Sequence, residues 1–310
     1  MEKQTKSVVL TSYYKPKPGG LCKRYFRAIN ALLDRGHTVH YLSVEPFPIE
    51  HSNCVHHRFL WPRSKADGLV FWAAFYLLAP LYLLKISLKH KPQHTFSFHP
   101  SYGLLLKIGT VFQNITTTIF FRADSIENHH FKLRQNWITR LDSIIEGLAI
   151  RHSKLVFISK ACQTSVLKRH AKTQIQQTSV LYNDIDSNIQ TKKTINPKEI
   201  IFSSVGILET RKNQALILEA LREVEHSTYK YNIYGVGEDD LKLKQLIIKY
   251  KLQDTVTLHG WCEREHIWEH TDALLLPSLH EGVSNSLLEA IERKIPVLAS
   301  DIPEHREILQ

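Results

Sequence analysis

The sequence predicts an α/β protein of two doubly wound domains, each built on a parallel sheet. Three observations carry that reading. The chain has 310 residues, and domains run to roughly 150 residues each. Short β-branched runs alternate with longer stretches of helical period, the pattern of βαβ units. A polar stretch with almost no apolar period ends in Asn196-Pro197 and reads as a linker. The expected boundaries are 1–183 for the first domain, 184–198 for the linker and 199–310 for the second domain.

In the first domain, strands are expected over 7–12, 38–43, 117–121 and 155–159, with a helix over 22–35. The apolar run 69–84 is interrupted by Pro80 and closed by Lys85. A bilayer span takes about 20 residues, so a helix that does not cross a membrane is expected. Its Phe71, Trp72, Phe75, Tyr76 and Tyr82, with Lys65, Lys85, Lys89 and Lys91 at the flanks, fit either a core helix or a contact with an anionic membrane face. In the second domain, strands are expected over 200–205, 231–234, 256–258, 273–276 and 295–299. Between them Leu216, Ile217, Ala220, Leu221 and Val224 keep a helical period, as do Leu243, Leu246, Ile247 and Tyr250. The pattern stops at Gln310 inside an incipient helix with no stop signal, so the second domain is expected to be cut short.

Composition narrows the function classes. Hydrophobic residues at 43% and charged residues at 23% exclude a disordered or fibrous chain. Forty basic against thirty acidic residues give +10. The positive charges are scattered, which favours small phosphorylated ligands or a membrane face over nucleic acid. Cys22, Cys54, Cys162 and Cys262 form no CxxC pair, as in a reduced, cytoplasmic protein, and the N-terminus has no signal-peptide core. Among the 18 histidines, the pairs His56-His57 and His129-His130 are adjacent, so their side chains diverge. No spacing matches a zinc site, and no metal or cofactor is expected. Asp184-Ile185-Asp186, formally an acidic DxD, falls in the linker and reads as a turn.

In open parallel sheets ligands sit beyond the carboxyl ends of the strands, which directs attention to three strand-to-helix junctions. The most informative is His280-Glu281-Gly282-Val283-Ser284-Asn285-Ser286-Leu287-Leu288-Glu289. Backbone N–H groups at such a helix start form an anion site. Glu281 can meet sugar hydroxyls, and Glu289 can accept two hydrogen bonds from a ribose diol. Ser286-x-x-Glu289 also matches a capping box, but Glu281 eight residues upstream, with Gly282 between, favours a ligand. The second junction carries Arg211 and Lys212. Two cations just before a helix start are locally unfavourable, which points to an anion such as a diphosphate; an exposed, solvated pair is the alternative. The third is Pro18-Gly19-Gly20, whose glycines let backbone N–H groups approach a phosphate or simply make a turn. Gly235-x-Gly237 lacks the third glycine of a dinucleotide fingerprint, since residue 240 is Asp.

Together these segments resemble the retaining GT-B-fold glycosyltransferases typified by glycosyltransferase family 4. The family's E-x7-E motif corresponds to Glu281 and Glu289, its Arg/Lys pair to Arg211 and Lys212, and its Gly-Gly loop to Gly19 and Gly20. Tyr234-Gly235-Val236-Gly237-Glu238 and Leu258-His259-Gly260-Trp261 are also similar to the family. The resemblance implies a GT-B architecture of two Rossmann-like domains facing a cleft. It also implies transfer of a sugar from a nucleoside diphosphate with retention at the anomeric carbon. Glu289 would hold the ribose, Glu281 with the backbone at Gly282, Val283 and Ser284 the sugar, and Arg211 and Lys212 the leaving diphosphate, with Asn285, Gly19 and Gly20 as further donor-binding residues. The cations would take a metal's place. On the acceptor side the family often places a His or Asp, where this chain offers Arg122 and Asp124; a base role and a structural salt bridge both remain open. The expected protein is a cytoplasmic enzyme, peripheral at the inner face of the membrane. It would serve a glycan or lipid-linked acceptor in surface polysaccharide or lipopolysaccharide assembly. The alternatives are an inactive nucleotide-sugar-binding remnant and a nucleotide-sugar epimerase of the same fold.

Overall fold

A computed structural model of the chain describes residues 7–16, 20–62, 66, 68–121, 137–183, 199–224 and 229–310. The chain divides into two units, Met1–Ile158 with Cys162–Leu181 and Ser159–Ala161 with Tyr182–Gln310. The expected linker 184–198, with Asp184 and Asp186, lies outside the described residues, as do Gly19, Arg122, Asp124 and the His129-His130 pair.

The first unit holds seven parallel strands: β1 (Val8–Ser12), β2 (Thr38–Ser43), β3 (Cys54–Arg58), β4 (His94–Ser97), β5 (Thr117–Phe120), β6 (Lys154–Phe157) and β7 (Gln177–Val180). Their order is β3-β2-β1-β4-β5-β6-β7. The helices are α1 (Gly20–Asp34), α2 (Leu69–His90), α3 (Pro100–Gly109), α4 (Trp137–Ile150) and α5 (Lys160–Arg169). Strands β3, β4 and β7 were not expected from the sequence. In β4 the reason is clear: Thr95 and Ser97 are buried and satisfied locally. Thr95 Oγ1 donates to Thr117 Oγ1 at 2.9 Å, and Ser97 Oγ to the His99 carbonyl at 3.1 Å. Polar residues paired in this way sit in a central strand without the apolar signature that betrays one.

Helix α2 runs unbroken through Pro80, six residues beyond the expected apolar run. Phe71, Phe75, Ala79, Leu83 and Ile86 form its buried stripe, at the spacing that lines one side of a helix. Each large side chain of that stripe contributes about 1.5–3 kcal/mol of transfer free energy. The opposite face is apolar but exposed, with Leu69, Val70, Leu77 and Leu81 all more than 60% accessible. By length and composition the helix is long and apolar enough to cross a membrane, but its buried face is committed to protein.

The second unit has five parallel strands: β8 (Ile200–Val205), β9 (Tyr229–Tyr234), β10 (Val256–Gly260), β11 (Ala273–Leu276) and β12 (Val297–Ala299), in the order β10-β9-β8-β11-β12. All five coincide with expected strands to within a few residues. Around them lie α6 (Gln214–Leu221), α7 (Asp240–Lys249), α8 (Arg264–Glu269), α9 (Asn285–Glu292) and α10 (Pro303–Leu309). Apolar positions of α6 and α7, among them Leu218, Leu243 and Ile247, close over Tyr231, Ile233 and Leu275 in one core. Ile267 and Trp268 of α8, with Leu287 and Ala290 of α9, build a second around Leu274 and Leu276.

Candidate active site

In the second sheet the strand order reverses at β8, with β9 and β10 on one side and β11 and β12 on the other. Such a reversal opens a crevice at the carboxyl ends of the two diverging connections, where open parallel sheets bind ligands. The loop after β8 carries Arg211 and Lys212, and the loop after β11 carries Glu281. They are joined by the backbone, the Leu279 N–H donating to the Arg211 carbonyl at 2.8 Å.

Arg211 and Lys212 form a single 3-10 turn ended by Asn213, whose left-handed backbone (φ 54°) leads into α6. Lys212 Nζ lies 2.5 Å from Glu281 Oε1, and Arg211 Nη1 2.9 Å from Glu281 Oε2. Arg211 Nη2 also reaches Glu209 Oε1 at 2.7 Å, and Ser278 Oγ donates to Glu281 Oε1 at 2.8 Å. Glu281 is only 4% exposed. Burial pushes its carboxyl up, but the charges of Lys212 and Arg211, with hydrogen bonds from Lys212 and Ser278, outweigh burial and hold it below the usual 4.5.

This geometry corrects one inference. The cations before a helix start pointed to a bound anion, but Glu281 and Glu209 neutralise them from within the chain, so the local charge does not by itself require a ligand. The alternative of a solvated pair also fails for Lys212, which is buried.

The helix following Glu281 is capped two residues earlier than a capping box at Ser286 requires. Ser284 is the N-cap of α9, its Oγ accepting from the Leu287 N–H at 3.4 Å. Ser286 lies inside the helix, its hydroxyl 2.9 Å from that of Ser284. Glu289 is therefore not a capping residue. Its Oε2 accepts from Trp268 Nε1 at 3.0 Å and its Oε1 pairs with Arg264 at 3.1 Å. Gly282, Val283 and Ser284 are buried in the loop and Asn285 is exposed at the helix start. In the first unit, Gly20 opens α1.

Two glycines owe their place to the loop after β8. A Cβ on Gly235 would fall 1.8 Å from the Gly206 carbonyl oxygen, and one on Gly237 2.1 Å from that of Leu208. The Gly235-x-Gly237 pattern is thus explained by one loop packing on its neighbour, with no dinucleotide needed.

Several functional neighbours escaped the sequence reading. Ser278 is a partner of Glu281, Trp268 and Arg264 are partners of Glu289, and Glu209 is a partner of Arg211; Trp268 and Arg264 lie 21 and 25 residues before Glu289 in the chain. Glu304 and His305, both buried at the start of α10, feel the Glu281 charge: burial first and then Glu281 raise the Glu304 carboxyl. Burial lowers His305 against the opposing effects of the Ser300 carbonyl and Glu281. The first sheet has its own reversal, between β1 and β4, and His99 stands at the carboxyl end of β4 as the N-cap of α3. Its one signal in the sequence was the following Pro100, a residue favoured in a first helical turn.

Residues 186–310 match the family described as glycosyl transferases group 1. The fold is GT-B. The crystal structure of Anabaena Alr3699/HepE in complex with UDP and glucose superposes with a TM-score of 0.74 at 16% identity, over 98% of this chain and 83% of that one. The chain is 24% identical over 267 residues to the uncharacterized glycosyltransferase MJ1059 of Methanocaldococcus jannaschii, covering 79% of this chain and 65% of that protein. It is 24% identical over 251 residues to the O-antigen chain mannosyltransferase RfbU of Salmonella typhimurium, covering 79% of this chain and 66% of that protein. The chain thus spans a little under two thirds of the length of these two curated relatives.

Proposed function

We propose that the protein is a retaining glycosyltransferase of the family 4 type, moving a sugar from a nucleoside-diphosphate donor to a glycan or lipid-linked acceptor in surface polysaccharide or lipopolysaccharide assembly. The observation that carries this reading is the convergence of Arg211, Lys212, Glu281 and the start of α9 at the β8/β11 reversal, inside the segment that matches the family. The names of RfbU, an O-antigen chain mannosyltransferase, and of HepE, crystallised with UDP and glucose, support the same reading.

The chemistry follows from charge. Departure of the donor's diphosphate builds negative charge on its oxygens, and preorganised cations in a partly desolvated site stabilise that charge strongly. Arg211 offers a bidentate fork and Lys212 a point charge. Both are held by Glu281 before the donor arrives, so the donor must share or displace that carboxylate, and Glu281 is then free to accept from sugar hydroxyls. The N–H groups of the first turn of α9 add fixed dipoles. Glu289, already oriented by Trp268 and Arg264, retains acceptor capacity for a ribose diol. The acceptor hydroxyl would attack on the face the diphosphate leaves, giving its proton to the departing phosphate. This route asks for no metal or cofactor, and His99, Arg122 and Asp124 are the acceptor-side candidates. The exposed apolar face of α2, flanked by Lys85, Lys89 and Lys91, would bring the enzyme to the anionic inner face of the cell membrane.

The test is turnover. The purified chain is incubated with UDP-, GDP- and ADP-sugars, with and without EDTA and a lipid-linked acceptor, while nucleoside diphosphate release is followed. Proton NMR of the product reads the anomeric configuration. Release of one diphosphate with retained configuration in EDTA supports the reading; inverted product or strict metal dependence overturns its mechanism.

A further inference from the structure

No spacing of histidines in the sequence resembles a zinc ligand set. The sheet assembles one nonetheless. His40 lies on β2, His57 on the neighbouring β3 and His90 at the last position of α2. The β2/β3 register pairs His40 with Val55 and Leu42 with His57, so His40 and His57 point to the same face while His56 turns to the other. There His56 meets Ser43 and Tyr41. The adjacent pair diverges as expected, and for that reason one member of it is delivered to a cluster. One ring nitrogen from each of His40, His57 and His90 lies within 4.8 Å of the others, and His40 Nδ1 is 2.8 Å from His57 Nε2.

We propose that His40, His57 and His90 form a binding site for one divalent late-transition ion, of which zinc is the representative, with water in the remaining position. Three imidazoles suit zinc, copper or nickel and are poor ligands for magnesium or calcium. At Zn–N distances of about 2.0–2.1 Å, ligand nitrogens of a tetrahedral site stand roughly 3.3 Å apart. The cluster brackets that separation, and His57 and His90 are only partly buried, so modest ring rotations close it. No carboxylate is paired with any of the three among the described residues, and the lysine whose charge acts on His40 and His57 is Lys89, which is exposed. No ion pair therefore accounts for the convergence. A bound ion would clasp the end of α2 to the edge of the first sheet, fixing the helix whose opposite face is apolar and exposed. The site is independent of the proposed transfer chemistry.

The test uses the full chain, stripped with chelator and dialysed against zinc. Metal content is measured by mass spectrometry, and a parallel sample is loaded with cobalt for its visible spectrum. His57→Gln and His90→Gln serve as variants because both positions are partly exposed and tolerate a polar side chain, and circular dichroism verifies their fold. The proposal expects about one zinc per chain and cobalt bands typical of tetrahedral nitrogen ligation. Each variant should weaken binding at least about tenfold, and zinc should raise the melting temperature of the parent chain but not of the double variant. Substoichiometric zinc in the parent chain, or binding that survives the double variant, would overturn it and leave the cluster a hydrogen-bonded stack of rings.

Discussion

Lys212 Nζ and Glu281 Oε1 are 2.5 Å apart, across 69 residues of sequence and at the ends of two adjacent strands. Both groups are buried, and Lys212 has Glu281 as its ion-pair partner while Glu281 is also held by Arg211 and Ser278. Removing one partner of a buried pair strands the remaining charge, typically at a cost of about 3–5 kcal/mol. Arg211 and Ser278 still hold Glu281 when Lys212 is removed, so Lys212→Ala should lower the unfolding free energy by less than that, about 1–3 kcal/mol in urea denaturation. Arg211→Ala, at a site with more solvent, should cost less. A Lys212→Ala chain as stable as the parent would mean that the pair is not formed in solution.

The same contact sets a pH dependence. Glu281 is held below 4.5 in the folded chain, so its ionised form stabilises the fold fully above the unfolded value. That contribution is lost as pH falls through the folded value. Between pH 8 and 5 the stability difference between the parent and Glu281→Gln should stay constant, and below about 4.5 it should shrink. Melting curves of both proteins across pH 3–8 check this; a difference that grows towards acid would reverse the assignment.

The loop packing makes a sharp contrast between two glycines. At Gly235 an added Cβ meets the Gly206 carbonyl oxygen at 1.8 Å, whereas at Gly260, with φ +70°, it meets nothing within 4 Å. Gly235→Ala should cost more than about 3 kcal/mol, because backbone must move. Gly260→Ala should cost only about 1–2 kcal/mol, for the left-handed conformation. Similar melting temperatures for the two variants would show that the loops after β8 and β9 do not pack this closely.

The exposed side of α2 predicts membrane association. The chain should float with liposomes containing anionic lipid, and Leu77→Glu with Leu81→Glu should abolish flotation without changing the melting temperature. A parent chain that remains wholly in the aqueous fraction removes this part of the proposal.

The second unit was more legible in sequence than the first, for a physical reason. Strands such as β11, Ala273–Leu276, are short apolar runs buried on both faces and announce themselves. By contrast β4 buries Thr95 and Ser97, whose hydroxyls donate to Thr117 Oγ1 and the His99 carbonyl, and the edge strands β3 and β7 are polar, so their sequences resemble loops. At the candidate site, Glu281, Glu289, Arg211 and Lys212 could be read because their motifs are local. What could not be read was how they answer one another. The electrostatic cost of two cations before α6 looked like a vacancy for an anion, but the neutralising Glu281 arrives from a loop about 70 residues later. Ser286-x-x-Glu289 matches a capping box in the sequence, and only the position of the true N-cap, Ser284, removes that alternative. The histidine cluster depends on strand register and on where α2 ends, neither of which any spacing rule contains.

On the proposed function, the β8/β11 crevice binds a nucleoside diphosphate through Arg211 and Lys212 at one end and Glu289 at the other. Calorimetric titration with UDP, GDP, ADP and CDP, in EDTA, tests it most directly, with inorganic pyrophosphate as the control ligand. Metal-independent binding of one nucleotide is expected. Arg211→Ala should lose both the nucleotide and pyrophosphate. Glu289→Gln should lose about tenfold to a hundredfold for the nucleotide alone, the worth of charge-assisted hydrogen bonds to a diol. Failure of all four nucleotides to bind, or binding untouched by Arg211→Ala, would contradict it.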